Sequence, residues 1–148
     1  MTATSQWKIL LLDTKRSNPN HYICLAIEAA LKQNPAVSSV HRANFGNAIQ
    51  LAKSEKCNLF FAFDGEELHA ELCSKLDRIC GLSLLWVTED PYELPANLQN
   101  AKIFDHIFTN DSSSVEAYGE NASHLPLAAH KEIQYQPIIL DDSHRYDL

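Results

Sequence analysis

The chain has 148 residues and a net charge of −7, and it is 45% hydrophobic and 21% charged. This length indicates one domain with room for a hydrophobic core, and this composition excludes disorder for most of the chain. The acidic balance argues against a nucleic-acid backbone or an anionic membrane surface as the main partner, since both need clustered Lys and Arg.

The N-terminal sequence, the length of the apolar runs and the spacing of the cysteines indicate the cellular compartment. The N-terminal stretch MTATSQWKILLLD lacks the basic and long apolar segments of a signal peptide, and no apolar run approaches the roughly 20 residues of a membrane span. Cys24, Cys57, Cys73 and Cys80 form no CxxC pair, which predicts buried free thiols instead of a zinc or disulfide framework. We therefore expect a cytoplasmic protein without a membrane span.

The first half of the chain alternates short apolar runs with longer amphipathic ones. WKILLLD (residues 7–13) predicts a strand that is buried on both faces. Residues 17–34 predict a helix that Asn18 can cap and whose first turn suits Pro19. The next two predicted elements are a more polar strand near the sheet edge and a short helix, at residues 36–44 and 47–56.

The second half continues the same alternation. CNLFFAFDG (residues 57–65) predicts the third strand. Residues 66–80 predict a helix with acids in its first turn and bases in its last, as the helix dipole favours. The remaining predicted elements are the fourth strand, the fifth strand, a short helix and the sixth strand, at residues 82–90, 104–111, 112–119 and 122–129.

This order of elements predicts the fold. Parallel neighbouring strands need crossovers, and each crossover here is a helix. We predict a Rossmann-like, doubly wound α/β fold: a mostly parallel six-stranded sheet with helices on both faces. Residues 1–130 are expected to form this domain, and residues 131–148 are expected to be a connector toward a missing C-terminal domain.

In an open parallel sheet, ligands bind beyond the carboxyl ends of the strands. The polar residues in the loops at that edge are therefore the candidates. We predict substrate-binding residues at Asp13, Asp64, Thr88, Tyr92 and Asn110. Because a carboxylate at a cleft mouth can anchor hydroxyls or act as a general base, we predict Glu89 and Asp90 as catalytic. The alternative is that these two acids are a polar strand exit facing water.

Glycine and histidine usage exclude several kinds of chemistry. The loop DTKRSNPNHY after the first strand contains no glycine, so neither a dinucleotide fingerprint nor a Walker phosphate loop fits. No G-x-S-x-G elbow exists to anchor a hydrolase triad. The seven histidines show no H-x-H or H-x-x-x-H spacing. We therefore predict no cofactor and no metal.

Three stretches of the second half carry a resemblance. LLWVTEDPYEL has a tryptophan before an acid–Asp-Pro, FDHIFTNDSSSVEAYG has an F-D-x-I-F-T-x-D strand and a Tyr-Gly helix end, and ASHLPLAA has a Leu-Pro-x-Ala strand. This pattern resembles the N-terminal half of the CgeB-like glycosyltransferases, named for a spore-maturation protein, over residues 7–130. The resemblance implies a GT-B architecture of two Rossmann-like domains, in which the C-terminal domain holds the nucleotide-sugar donor.

The same resemblance implies a function. The chain would be the acceptor-side domain of a metal-independent glycosyltransferase that moves a sugar from a nucleotide-sugar to an unknown acceptor. The family pattern continues as Asp-(Ile/Leu)-x-Phe-Val-Gly, whereas this chain stops at Tyr146-Asp147-Leu148. We therefore expect the natural protein to continue, and the isolated fragment to be inactive.

Two interpretations without enzymatic activity stay open. A signalling receiver needs acids after the first strand, a phosphorylatable Asp after the third, Thr or Ser after the fourth and Lys after the fifth. Asp13, Asp64 and Thr88 fall in plausible places. The acid pair is reduced to one, however, FTNDSSS offers Asn110 where lysine is needed, and a sixth strand is a further departure. The other interpretation is a protein-interaction or small-molecule sensor module.

Overall fold

A computed structural model describes residues 6–13, 20–65 and 68–134. The strands in these ranges are β1 (Trp7–Leu12), β2 (Val37–Ala43), β3 (Leu59–Phe63), β4 (Ser83–Val87), β5 (His106–Thr109) and β6 (Ala122–His124). They form one sheet in the order β2-β1-β3-β4-β5-β6, and every neighbouring pair is parallel. The predicted α/β fold with a parallel six-stranded sheet is confirmed.

In the described ranges, helices connect these strands, and a last helix follows β6. They are α1 (Asn20–Lys32), α2 (Ala48–Ser54), α3 (Ala70–Cys80), α4 (Leu94–Ala101), α5 (Val115–Tyr118) and α6 (Lys131–Gln134). Helix α1 lies in the predicted range 17–34, but its predicted cap and first turn at Asn18 and Pro19 fall outside the described residues. Residues 131–148 were expected to be a connector; their first four residues form α6, and residues 135–148 also fall outside the described part.

Helix α4 is the main element that the sequence pattern does not predict. Its buried residues are Asn97 and Ala101, so it lacks the apolar stripe of an amphipathic helix. Pro95 also argues against a helix, yet it occupies the first turn, where no backbone N–H is required. Tertiary contacts of Asn97, described below, stabilise this helix in place of an apolar face.

The core has two layers, one on each face of the sheet. Successive strand residues point to opposite faces. One layer combines alternate strand residues with α2 and α3, and includes Leu10, Leu12, Phe60, Ala62, Leu85 and Val87. The other combines the intervening residues with α1, and includes Ile9, Leu11, Leu59, Phe61, Phe63 and Trp86. The more polar strand β2 lies at the edge of the sheet, as predicted.

The four cysteines are free and buried, which confirms the prediction for them. Burial raises the pKa of Cys73 to about 11, and burial with the nearby Cys57 thiol and Asp77 raises the pKa of Cys80 to about 12. In the unfolded chain these thiols ionise near their ordinary pKa of about 8.5. Above that pH the unfolded state loses protons that the folded state keeps, so stability should fall.

This linkage gives an alkaline prediction. The free energy of unfolding, measured by urea denaturation, should decrease as the pH rises from about 8.5 to about 11. The variant Cys73→Ala removes one titrating thiol, so its slope should be shallower by up to about 1.4 kcal/mol per pH unit. Equal slopes for the variant and the parent chain would contradict the assignment to Cys73.

Within the described ranges, no helix is long and apolar enough to cross a membrane.

Candidate functional site

The parallel register brings the predicted site residues to one edge of the sheet. Leu12 of β1 pairs with Ala62 of β3, and Val87 of β4 pairs with Thr109 of β5. The residues that follow these strand ends therefore lie along the carboxyl edge: Asp13, Asp64, Thr88 and Asn110. From β1 the strand order runs outward to β2 on one side and to β3 on the other, and ligands bind at such a reversal of strand order.

Asp13 at the end of β1 is held by two basic side chains. Arg42 Nη1 donates to Asp13 Oδ2 at 2.8 Å, and His21 Nδ1 lies 3.0 Å from the same oxygen. Arg42 is held in turn, because its Nε donates to Glu28 at 2.9 Å. The carboxylate of Asp13 is thus paired with Arg42 of β2 and His21 of α1, and its oxygens point into this network.

Asp64 follows β3 and is almost completely buried, with 2% of its surface exposed. The side-chain amide of Asn20, at the start of α1, donates to Asp64 Oδ2. The Asp64 backbone has φ of 72°, in the left-handed region that Asp tolerates better than most residues. Its N–H donates to the Trp86 carbonyl at 2.7 Å, which continues the sheet bonding past the end of the strand.

Asp90 forms the centre of a buried hydrogen-bond cluster. Its Oδ2 accepts from Thr109 Oγ1 and from the Tyr118 hydroxyl, both at 2.7 Å. Its Oδ1 accepts from Asn97 Nδ2 at 3.0 Å, and 4% of the residue is exposed. Burial, with the bond to Asp90, raises the pKa of Tyr118 well above its usual value. These four residues, here called the Asp90 cluster, join the end of β4 to α4, β5 and α5.

The environment of Asp90 favours a structural role over the predicted catalytic one. Three donors occupy its oxygens and little of it reaches solvent, whereas a general base must reach the proton that it removes. Glu89 beside it is exposed. The catalytic assignment of both residues stays a prediction.

Two polar atoms at this edge are buried without a hydrogen-bond partner: Thr88 Oγ1 and Asn110 Oδ1. Thr88 is 7% exposed, and the Asn110 N–H donates to the Val87 carbonyl at 3.2 Å. Unpaired buried polar atoms are uncommon and call for a water or a ligand group. Tyr92 differs from both, because 90% of it is exposed. The binding roles of Thr88, Asn110 and Tyr92 stay predictions.

Sequence reasoning missed Thr109, Asn97 and Tyr118 as members of a cluster. All three are separated from Asp90 in the chain, Tyr118 by 28 residues. Trp86, the tryptophan of the LLWVTEDPYEL stretch, is a core residue: its ring packs edge-on against Phe63, and its Nε1 donates to the Leu125 carbonyl at 3.0 Å. A polar residue at the end of each neighbouring strand was the available signal for Thr109.

No protein-family model matches the chain, and neither does any curated protein. Among solved structures, the fold is similar to that of a two-component response regulator of the LuxR family from Aurantimonas sp. SI85-9A1. The TM-score is 0.53 at 14% sequence identity, over 80% of this chain and 90% of that chain. At this identity the similarity concerns the fold.

The predicted membership of the CgeB-like glycosyltransferases is therefore wrong. No family model supports it, and the fold matches that of a response regulator. The expected GT-B assignment, nucleotide-sugar donor and sugar acceptor rested on that resemblance and have no support. The motif residues have another explanation, since Trp86 packs in the core, and Asp90, Thr109 and Tyr118 form a buried cluster.

The described part of the chain contains no cluster of side chains suited to bind a metal ion. Among those residues, no group of three or more His, Cys, Asp and Glu side chains is arranged to hold a metal ion. The carboxylate of Asp13 is paired with Arg42 and His21. The edge can thus offer hydrogen bonds from Thr88 and Asn110, and surface for contact.

Proposed function

We propose that this chain is a receiver-like regulatory module that works through contacts with other proteins, without phosphoryl transfer to Asp64. The fold similarity to a response regulator supports the first half of the proposal. The chain places Asp13, Asp64 and Thr88 after the first, third and fourth strands, where a receiver has its acids and its hydroxyl residue. The second half rests on how these positions are occupied.

The observation that carries the proposal is the pairing of the acids with side chains of their own chain. Phosphoryl transfer depends on a metal ion and fixed cations that stabilise the transferring group. Asp13 is bound by Arg42 and His21, which compete with any divalent cation. Asp64 is 2% exposed and its Oδ2 accepts from Asn20, so the side chain offers little surface to a phosphodonor.

The loop after β5 supports the same conclusion. Receivers have a lysine there, and this chain has Asn110, whose neutral amide cannot balance the charge of a phosphoryl group. The second acid of the receiver pair is also missing, since Thr14 follows Asp13. Among the described residues, cation ligands are fewer than in a receiver, and the cationic Arg42 is already bound to Asp13 and Glu28, which weakens transfer chemistry at this edge.

Exposed aromatic residues support a role in protein contacts. Tyr92, in the turn after β4, and Tyr22, in the first turns of α1, are 90% and 63% exposed. Both lie near the carboxyl edge, because the turn with Tyr92 follows the end of β4, and His21, next to Tyr22, contacts Asp13 at the end of β1. Tyrosine is among the residues that contribute most to protein interfaces.

Acetyl phosphate labelling tests the proposal. The chain is incubated with acetyl phosphate and Mg²⁺, and its intact mass is measured under conditions that preserve acyl phosphates. We expect no phosphate adduct, while a receiver with the full set of acids and lysine labels in parallel. A stoichiometric adduct that disappears in Asp64→Asn would overturn the proposal and make the module phosphorylation-dependent.

A further inference from the structure

Helices α2 and α3 pack side by side on one face of the sheet and leave a groove between them. Two depressions of about 510 and 220 Å³ lie along it and share Ile49 and Lys75. The larger one begins near Phe45 and His69, whose rings pack edge-on at 5.2 Å. We call the two depressions together the α2–α3 groove.

Helical spacing explains the chemistry of this groove. Residues three or four apart share a helix face. On α2, Ile49 and Lys53 have this spacing, and on α3 so do Leu72, Lys75 and Ile79. The two helices therefore present half-buried apolar side chains as a floor and exposed basic side chains along the rim.

The charge of the rim is opposite to that of the whole chain. Of the residues lining the groove, Lys53, Lys75 and Arg78 are basic, and Glu71 is the acid. Glu71 is bound to Lys75 at 2.7 Å, and this bond lowers the pKa of Glu71. A third depression, beside α4, has Glu93 and no basic residue in its lining. The α2–α3 groove thus has a local basic rim on a chain of net charge −7, and the depression beside α4 does not.

We propose that the α2–α3 groove binds an acidic amphipathic helix of a partner protein. This inference rests on the proposed role as an interaction module and names its surface and its partner. An apolar floor between two helices fits the apolar face of a third helix, which is a recurring mode of recognition. The rim selects acidic flanks on that helix, because complementary charge favours the correct partner and repels a basic one.

A synthetic peptide serves as the probe. It is a fluorescein-labelled amphipathic helix of about 15 residues, long enough to be helical in a groove, with leucine on one face and glutamate on the other. A second peptide has lysine in place of every glutamate. Fluorescence anisotropy should show binding of the acidic peptide and at least about tenfold weaker binding of the basic one.

Two charge-reversal variants locate the binding. The groove variant combines Lys53→Glu, Lys75→Glu and Arg78→Glu. The control variant reverses three other exposed lysines by Lys8→Glu, Lys102→Glu and Lys131→Glu, so both variants have the same net charge. The groove variant should weaken binding of the acidic peptide by about tenfold or more, and the control by much less. Circular dichroism checks that each variant is folded.

Several results would overturn the proposal. Equal weakening by both variants would indicate non-specific attraction, and no binding of the acidic peptide would remove the groove as a docking site. Dimerisation of the chain that the groove variant abolishes, measured by sedimentation, would make the occupant a second copy. If Asp64 were labelled and the acidic peptide still bound, the proposed function would be overturned and the α2–α3 groove would remain a binding site. If Asp64 were not labelled and the acidic peptide did not bind, the proposed function would stand and the groove proposal would be overturned.

Discussion

Replacing Asp90 by alanine is expected to lower the free energy of unfolding by about 3–5 kcal/mol, since each buried donor left unsatisfied costs about 1–3 kcal/mol. The change removes the acceptor of Asn97, Thr109 and Tyr118 and leaves three donors without it in a largely buried site. An unpaired buried polar group costs more than the bond itself contributed. Since domains of this size are stable by about 5–15 kcal/mol, the variant should unfold at much lower urea concentration or temperature.

Neighbouring substitutions serve as controls for Asp90. Glu89→Ala changes the adjacent but exposed acid, and we expect it to alter stability by less than about 0.5 kcal/mol. Tyr118→Phe removes one of the three donors and should cost about 1 kcal/mol. If Asp90→Ala were as stable as Glu89→Ala, the Asp90 cluster would not be what holds β4, β5, α4 and α5 together.

Replacing Gly65 by alanine is expected to destabilise the fold by about 1–3 kcal/mol. A Cβ atom at Gly65 would lie 2.2 Å from Asn97 Oδ1, and Asn97 is 2% exposed and bound to Asp90. The main chain cannot easily withdraw, since Asn100 Nδ2 donates to the Gly65 carbonyl at 2.9 Å. Urea denaturation of Gly65→Ala against the parent chain measures the effect.

A double-mutant cycle tests the cause. In an Asn97→Ser background the crowded amide oxygen is absent, so the added cost of Gly65→Ala should fall by more than about 0.5 kcal/mol. Gly46→Ala is the matched control, because a Cβ there would meet Asn44 Oδ1 at 3.3 Å on the surface. The clash would be the wrong explanation if Gly65→Ala cost the same in both backgrounds.

Together these two positions explain how the carboxyl edge is built. Gly65 lets the loop after β3 pack against α4, and Asp90 binds the same helix from the loop after β4. Asn97 is the residue common to both contacts. A glycine after the third strand allows close packing here, and hydrogen bonds connect the loops after β3 and β4 to α4 and β5.

The resemblance to glycosyltransferases was misleading for a physical reason. The motif consists of a tryptophan, an Asp-Pro turn, a threonine at a strand end and a tyrosine at a helix end. Such residues can pack and form hydrogen bonds inside a parallel α/β domain whatever its activity. In this chain Trp86 fills the core, and Thr109 and Tyr118 bind Asp90. Residue patterns that stabilise a fold recur between functions, so they indicate architecture more than chemistry.

The sequence by itself determined the architecture of this protein. The alternation of apolar runs and amphipathic segments predicts six parallel strands, because a strand buried on both faces and a helical crossover leave distinct local patterns. The polar composition of residues 36–44 also predicts the edge position of β2. These features depend on near neighbours in the chain, which a linear pattern records.

The tertiary structure alone decided which polar residues meet. Asp90 lies 19 residues before Thr109 in the chain, and β4 pairing with β5 is what brings them within 2.7 Å. The pairing of Asp13 with Arg42 likewise depends on β1 and β2 being neighbours. Charge pairing and burial are set by contacts between residues that are distant in the chain. The sequence pattern could therefore identify the acidic residues, but it could not distinguish a buried structural carboxylate from one at an open binding site.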